Sequence, residues 1–552
     1  MWYLVHMDKR FTEAELKKLN KADMITIFMT MQKLVENLSL TCAEQKVQLE
    51  QVNQNMNLIL EQLRISKNKQ FGRSSEKIVY DGQLKLELCF DEAEATIVNK
   101  YVVEPYMEEV CPKSYKRKKV KGQREEDLKD IPVVVINHEL SDEELNERLG
   151  DKWKRLPDEV YKRLAFHPAK FEVEEHHVAI YAGNDNETII RGNRPDDLLR
   201  SSILTPSLGA AIMNSKYVNA IPLYRLEQEF LRNDVVIRRQ VMANWVIRCG
   251  ERYLSLLYDR LHKEIYKCQV LQADETPVCV SKDGRSAGAK SYMWVYRTGK
   301  MHEGSTIVLY EYQKTRNSSH PREFLKNYSG IVVTDGYQVY HSLEKEFEDL
   351  RIAGCWSHAR RRFANVVKAL GKEKAKETLA NDALKQIAAI YKVEGLLSEL
   401  SSEERQKQRQ LTVRPLVDAF FAWVKEHQNA VLPKSETGKG FTYCLNQEKY
   451  LRVFLENGNI PADNNAAESS IRGFCIGKRN WHLIDTVDGA KTSAIIYSIA
   501  ETAKANNLKP YNYFELLLTE IPKHMEDTNM DFLEDLLPWS EKLPVECKKQ
   551  NI

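Results

Sequence analysis

Apolar positions along this chain change period several times, and each change marks a different kind of element. From residue 24 to 63, Met24, Phe28, Met31, Val35, Leu38, Cys42, Gln45, Leu49, Val52, Met56, Ile59 and Leu63 alternate spacings of four and three with no Gly or Pro between them. Such a seam predicts a long helix that pairs as a coiled coil, a homodimer, with Gln45 as a polar register-setting position. A helical hairpin packed on its own domain carries the same repeat. Residues 203–265 read as helical, and PLYRLEQEFLRND, a turn at Asn233 and Asp234, then VVIRRQVMANWVIRC has the spacing of a helix-turn-helix, or of ordinary helical packing. Between 269 and 340 the period shortens. VLQADETPVCV reads as a strand, with Asp274 following its first apolar run. SYMWVYRTG and STIVLYEYQ read as a strand pair turning near Thr298, Gly299 and Lys300, HPREFLKNY as a short helix opened by proline, and GIVVTDGYQVY as a strand that ends in Asp335.

Beyond Asp335, LRIAGCWSHARRRF predicts a strand running into a helix. Residues 364–455 follow as amphipathic helices broken at SSEERQKQRQ, and Gly489–Asn507 as one more helix. Residues 131–191 are β-rich, with His176 and His177 adjacent on a strand and therefore aimed at opposite faces, a poor arrangement for one metal. Zinc is not expected there, since no cysteine lies near. Residues 80–130 swing from DEAEA to KRKKVKGQR without periodicity and read as linker.

Composition narrows the classes. A chain of 552 residues exceeds a single hydrophobic core. Charged residues at 29% and hydrophobic ones at 43%, with no apolar run near the roughly 20 residues of a membrane span, describe a soluble, non-membrane protein, expected in the cytoplasm. The 10 cysteines are scattered without a CxxC pair, which fits reduced thiols rather than a disulfide frame or zinc site. A net charge of +2 rules out arguments from global basicity, so any nucleic acid must be gripped by local patches.

The candidate chemistry lies in acids and in such patches. Taken alone, a strand-terminal aspartate most often caps a turn. Two carboxylates at the edge of a sheet interior are costly unless a cation joins them, and hard oxygen ligands suit Mg2+ or Mn2+. Glu468, in GNIPADNNAAESSIRGFCIGKRNW, is either the reach-back member of a capping box from Asn465 or a third metal ligand. Phosphate-gripping candidates are Arg64, Lys67, Lys69 and Arg73 around Phe71, and His358, Arg360, Arg361 and Arg362; Arg238, Arg239, Gln240 and Asn244 start the second helix of the helix-turn-helix pattern, where a recognition helix presents side chains to base edges, and Arg472, Lys478 and Arg479 with Trp481 would line DNA beside Glu468. Solvated surface is the plain alternative for each cluster.

Read in order, FGRSSEK after the coiled coil, KYVNAIPLYRLEQEF, ADETPV, VVTDGY, CWSHARRRF, DNNAAES with IGKRNW, and ETAKANNLKPYNYFELLL are collinear with one family. The chain resembles the transposases of the insertion sequence 66 family, DDE enzymes with a ribonuclease-H-like core. The resemblance implies an α+β multidomain fold: a mixed-sheet core interrupted by an inserted helical domain, preceded by a coiled coil and a helical DNA-binding region. The implied regions are coiled coil and basic segment (1–78), linker (79–130), small β-rich module (131–200), helix-turn-helix-like region (201–265), the N-terminal segment of the catalytic core (266–363), inserted helices (364–460), the C-terminal core segment with the Glu helix (461–508) and tail (509–552). It further implies Asp274, Asp335 and Glu468 as catalytic and metal-binding acids, two divalent cations, DNA ends and target DNA as partners, small accessory proteins of the same element, and a bacterial cytoplasm or nucleoid. The gap from Asp335 to Glu468 is too long for a bare loop, which agrees with an insertion.

Three departures stand out. The family's cysteine zinc module has no cysteine here, its usual Arg after the Glu is Ser469, and its Pro after a later Arg is Gly473. Loss of an Arg beside the site points to a weaker grip on DNA, so a catalytically impaired DNA-binding relative is the second reading, and a coiled-coil scaffold with no DNA role the third.

Overall fold

The computed structural model describes residues 12, 13, 17, 20–71, 170–178, 180–182, 189–191, 197–286 and 288–549, with side chains of the first helix described to Leu49 and at Met56. In chain order the elements used below are α1 (Lys21–Phe71), β1 (Ile180–Ala182), β2 (Ile189–Arg191), α2 (Pro206–Met213), α3 (Leu223–Arg232), α4 (Arg239–Cys249), α5 (Ser255–Ile265), β3 (Val270–Lys282), β4 (Lys290–Thr298), β5 (Val308–Gln313), α6 (Ser319–Leu325) and β6 (Gly330–Thr334). There follow α7 (Gln338–Glu346), β7 (Leu350–Gly354), α8 (Trp356–Leu370), α9 (Leu379–Leu396), α10 (Ser402–Gln408), α11 (Arg414–His427), α12 (Glu436–Leu451), α13 (Asn465–Trp481), β8 (Ile484–Thr486), α14 (Val487–Ala505) and α15 (Pro510–Glu520). Two compact units result: a sheet unit of residues 87–298, 302–330 and 466–552, and a helical unit of residues 1–86, 299–301 and 331–465. Among the described residues no helix is long and apolar enough to cross a membrane.

In the sheet unit β4 pairs antiparallel with both β3 and β5, and β8 joins the end of β3 in parallel, so the sheet is mixed. Strand alternation sorts the side chains. One face carries Gln272, Asp274 and Thr276 on β3, level with Arg297, Val295 and Met293 on β4, and Val308 and Tyr310 on β5. The other carries Ala273 and Glu275, Tyr296 and Trp294, and Leu309 and Glu311. Helices α13 and α14 cover the first face, where Tyr310 Oη donates to the Ser470 carbonyl at 2.6 Å. Helix α14 also finishes the exposed edge of β5. Ser498 Oγ accepts from the Tyr310 N–H at 2.7 Å, while Thr502 Oγ1 accepts from the Val308 N–H and donates to its carbonyl, both at 3.0 Å. An edge strand left with open N–H and C=O groups invites foreign pairing, and these hydroxyls close it. On the second face, Tyr258 of α5 donates to the Tyr310 carbonyl at 3.0 Å and Phe324 of α6 stacks on Tyr296 at 3.5 Å. The result is a three-layer packing of helices on both sides of a sheet.

In the helical unit, β6 and β7 are sheet neighbours joined through α7. Helix α8 packs against α9 and α12, and the α8–α12 approach is close because position 440 is glycine: a Cβ there would lie 2.7 Å from Phe363 Cε1. Arg409, fully buried, pairs with Glu394 of α9 and donates to the carbonyls of Phe454 at 2.7 Å and Asn457 at 2.8 Å. A buried guanidinium is tolerable only with its donors satisfied in this way.

The strand, strand, strand, helix, strand order read between 269 and 340 is that of the structure. Two expectations change. Asp274 does not end its strand; it is the fifth residue of a 13-residue β3, where its half-exposed carboxylate escapes the full cost of burial. His176 and His177 lie in exposed irregular chain rather than on a strand, each beside an upstream glutamate, Glu174 at 3.5 Å and Glu175 at 3.0 Å. On α1 the seam residues described are exposed, Phe28 at 68% and Val35 at 63% among them.

Candidate active site

The sheet unit brings two of the three expected acids to one layer. Asp274 shares its sheet face with Thr276, and α13 runs along that face. Cys475 Sγ lies 3.6 Å from Thr276 Oγ1, and Lys478 Nζ donates to the Pro277 carbonyl at 2.8 Å. Further back on the helix, Arg297, level with Gln272, donates from Nη1 to the Ala466 carbonyl at 3.1 Å and to Ser470 Oγ at 3.3 Å. The two sets of contacts run in the same order, 466 to 478 against 272 to 277, so α13 lies alongside β3 and in its direction. Glu468 shares a helical stripe with Cys475 and Lys478, whose spacing of seven and three returns to one face. Glu468 and Asp274 thus occupy the same helix–sheet layer.

The start of α13 bears on the alternative role of Glu468. In a capping box from Asn465, Glu468 would take the Asn465 N–H; that N–H instead donates to Asp463 Oδ1 at 3.1 Å, and Asn465 is already the first helical residue. The N–H that the box would use is taken by an aspartate turn two residues earlier. The segment ahead of it is anchored within the helical unit: Asn464, fully buried, donates its N–H to Cys355 Sγ at 3.1 Å, and the Trp356 N–H donates to the Ala462 carbonyl at 3.0 Å.

Asp335 lies in the helical unit, directly after β6 and ahead of α7. Its Oδ1 accepts the Tyr337 N–H at 2.9 Å, and its carbonyl accepts the Tyr443 hydroxyl of α12 at 2.9 Å. Gly336 makes the turn at φ +92°, a conformation that favours glycine. Arg362 of α8 sets its guanidinium 4.5 Å from the Tyr443 ring centroid. Burial pushes the Tyr443 hydroxyl well above the ordinary tyrosine range, so it is a donor at any working pH.

The basic candidates are distributed as follows. Arg238, Arg239, Gln240 and Asn244 are all exposed at the start of α4, following α3 and the turn at Asp234, with Arg239 5.5 Å from the Tyr224 ring. On α8, Arg361 and Arg362 are exposed, Arg360 and His358 half-buried, and Arg361 Nη1 donates to His358 Nε2 at 3.2 Å. On α13, Arg479 is exposed, while Arg472, Lys478 and Trp481 are half-buried, Trp481 lying over Gly477. Arg64, Lys67 and Lys69 fall on the last turns of α1, where side chains are outside the described set, and Arg73 lies outside the described residues, as does the linker 79–130. Ser469 is exposed, and a Cβ at Gly473 would lie 3.2 Å from Glu501 Oε1.

Sequence patterns passed over Arg297, Tyr310 and Tyr443, which hold the acid-bearing segments. Only Arg297 carried a signal: a cation within the strongly apolar strand SYMWVYRT, its guanidinium desolvated by burial and its pKa lowered accordingly.

Known protein families match over most of these elements. The model of the "Transposase IS66 family" matches residues 201–492, that of the "IS66 C-terminal element" residues 498–539, and that of the "Transposase C of IS166 homeodomain" residues 59–136. Among curated proteins the chain is similar to three from Sinorhizobium fredii (strain NBRC 101917 / NGR234), each described as uncharacterized. It is 28% identical to y4qI over 390 residues, covering 69% of this chain and 71% of that one. To y4jD it is 28% identical over 362 residues (64% and 69%), and to y4hP 25% over 406 residues (71% and 72%).

Proposed function

The chain belongs to the IS66 transposase family, and on that basis we propose that it cuts DNA at the ends of its own mobile element and joins the freed 3′ hydroxyls to target DNA, with Asp274, Asp335 and Glu468 as the catalytic carboxylates. The observation that carries this reading is the alignment of α13 with β3, which sets Glu468 in the layer faced by Asp274 and leaves the helix cap to Asp463.

Three carboxylates are hard oxygen donors, which suit Mg2+ or Mn2+ over zinc. Two such ions, when bound, supply activation of water and then of the 3′ hydroxyl, and stabilise the leaving oxygen. The chain's own role is positional. Asp274, Asp335 and Glu468 hold the ions, Arg297 holds the turns that carry Glu468, and no serine or tyrosine nucleophile is required. The antiparallel β3–β4–β5 order followed by α6 supports a ribonuclease-H-like core split around inserted helices. Arginine and lysine side chains of α4, α8 and α13 supply sequence-blind phosphate contacts. A coiled coil through residues 24–63 brings two subunits to two DNA ends, small accessory proteins of the element assist, and the protein works in the bacterial cytoplasm, on the nucleoid when bound to DNA.

The test is incubation of the purified chain with its element's end DNA and MgCl2. Nicked and strand-transferred products from wild type, absent for Asp335→Ala, support the proposal. Identical products from both overturn the role of Asp335, and DNA binding without products from either favours the impaired DNA-binding relative to which Ser469 and Gly473 point.

A further inference from the structure

We infer that Tyr443, on a helix 108 residues beyond Asp335 in sequence, is the positioning residue for Asp335, and that the inserted helices thereby orient that acid. The inference rests on the reading of Asp335 as a metal-binding acid.

Four contacts, all inside the helical unit, converge on the turn after β6. Tyr443 Oη donates to the Asp335 carbonyl at 2.9 Å. One helical turn on, Gln447 lies against Gly336: a Cβ there would be 3.2 Å from Gln447 Cδ and Oε1 and from Tyr443 Oη alike. Residues four apart share one helix face, so α12 presents a continuous wall to the Asp335–Gly336 backbone. Arg362 lies over the Tyr443 ring, with its guanidinium 4.5 Å from the centroid. The Asp335 carboxylate is in turn oriented by the Tyr337 N–H at 2.9 Å, across the turn that Gly336 makes at φ +92°. The hydroxyl therefore acts on the carboxylate through the turn it holds, without touching the ions. Groups that orient metal-binding carboxylates commonly change metal affinity or activity by about 10- to 100-fold when removed.

Tyr443→Phe isolates the hydroxyl, because the ring and its stacking on Arg362 remain. The experiment titrates full-length wild type, Tyr443→Phe and Asp335→Ala with Mn2+, following free Mn2+ by electron paramagnetic resonance, with thermal unfolding and end-DNA binding measured in parallel. The expected result is a half-saturating Mn2+ concentration raised about 10-fold in Tyr443→Phe, with unfolding temperature and DNA affinity close to wild type, and cleavage restored at high metal. A Tyr443→Phe titration that overlays wild type overturns the inference, as does weakened binding that only tracks lost thermal stability. An Asp335→Ala titration that overlays wild type overturns the underlying reading of Asp335, a separate and recognisable failure.

Discussion

Arg297 Nη1 donates to the carbonyl oxygen of Ala466 at 3.1 Å, so a half-buried cation on β4 holds the first turn of the helix that carries Glu468. The same nitrogen reaches Ser470 Oγ one turn later. Hydrogen bonds from a charged donor contribute roughly 1.5–3 kcal/mol when their loss strands a buried partner. Arg297→Met should therefore lower unfolding free energy by about 2 kcal/mol in a denaturant titration. It should also reduce DNA cleavage more than DNA binding, because the hydrogen bonds it removes are to the acid's own helix. Cleavage equal to wild type would show that the α13 start needs no such support.

Arg297 also marks the limit of what sequence pattern reveals. Alternation of apolar residues was enough to order β3, β4, β5, α6 and β6, since each strand buries a face that its own period reveals. The acids were legible as residues in a pattern, but their setting was not. Asp274 proved to be mid-strand, and Glu468 proved not to be the cap, because the Asn465 N–H found an acceptor in Asp463 that a spacing rule does not weigh. The roles of Tyr443 and Arg297 were hidden for a simpler reason. Their partners lie 108 and 169 positions away in sequence, and a side chain's tertiary partner leaves no periodic trace.

Glu311 predicts a pH dependence. Burial raises its pKa from the ordinary 4.5 to about 7, against a hydrogen bond from Gln313 that lowers it, with Glu323 adding to the rise. Below pH 4.5 the carboxyl is protonated in folded and unfolded chain alike and costs nothing. Between 4.5 and 7 only the unfolded chain releases the proton, so this group's contribution to stability falls as pH rises, and the full penalty applies above 7. Glu311→Gln removes the penalty. Its gain in unfolding free energy over wild type should be near zero at about pH 4.5 and grow to something on the order of 3 kcal/mol at about pH 8. A gain independent of pH would assign the effect to packing.

The exposed seam of α1 predicts a change of oligomeric state. Met31 and Val35 are 62% and 63% exposed in the single chain, as are their neighbours Phe28 and Leu38 in comparable degree. Apolar side chains left in water along one helix face gain by pairing with a second copy. Sedimentation of wild type should show a dimer, and Val35→Glu with Leu38→Glu should give a monomer that still melts as wild type does in its sheet unit. A monomeric wild type would remove the predicted pairing, and a dimer unaffected by the two charges would place the interface elsewhere.

Catalysis by three carboxylates stands or falls on cleavage of the element's end DNA by Glu468→Gln in the presence of MgCl2, with unfolding temperature and DNA binding recorded on the same preparation. Glutamine keeps the shape and helix position of the side chain and removes only its charge. The variant is expected to fold and bind DNA like wild type and to yield no detectable 3′ hydroxyl product. Cleavage within about twofold of wild type, where losing a metal-binding group typically costs about 10-fold or more, would contradict this and return Glu468 to a structural role.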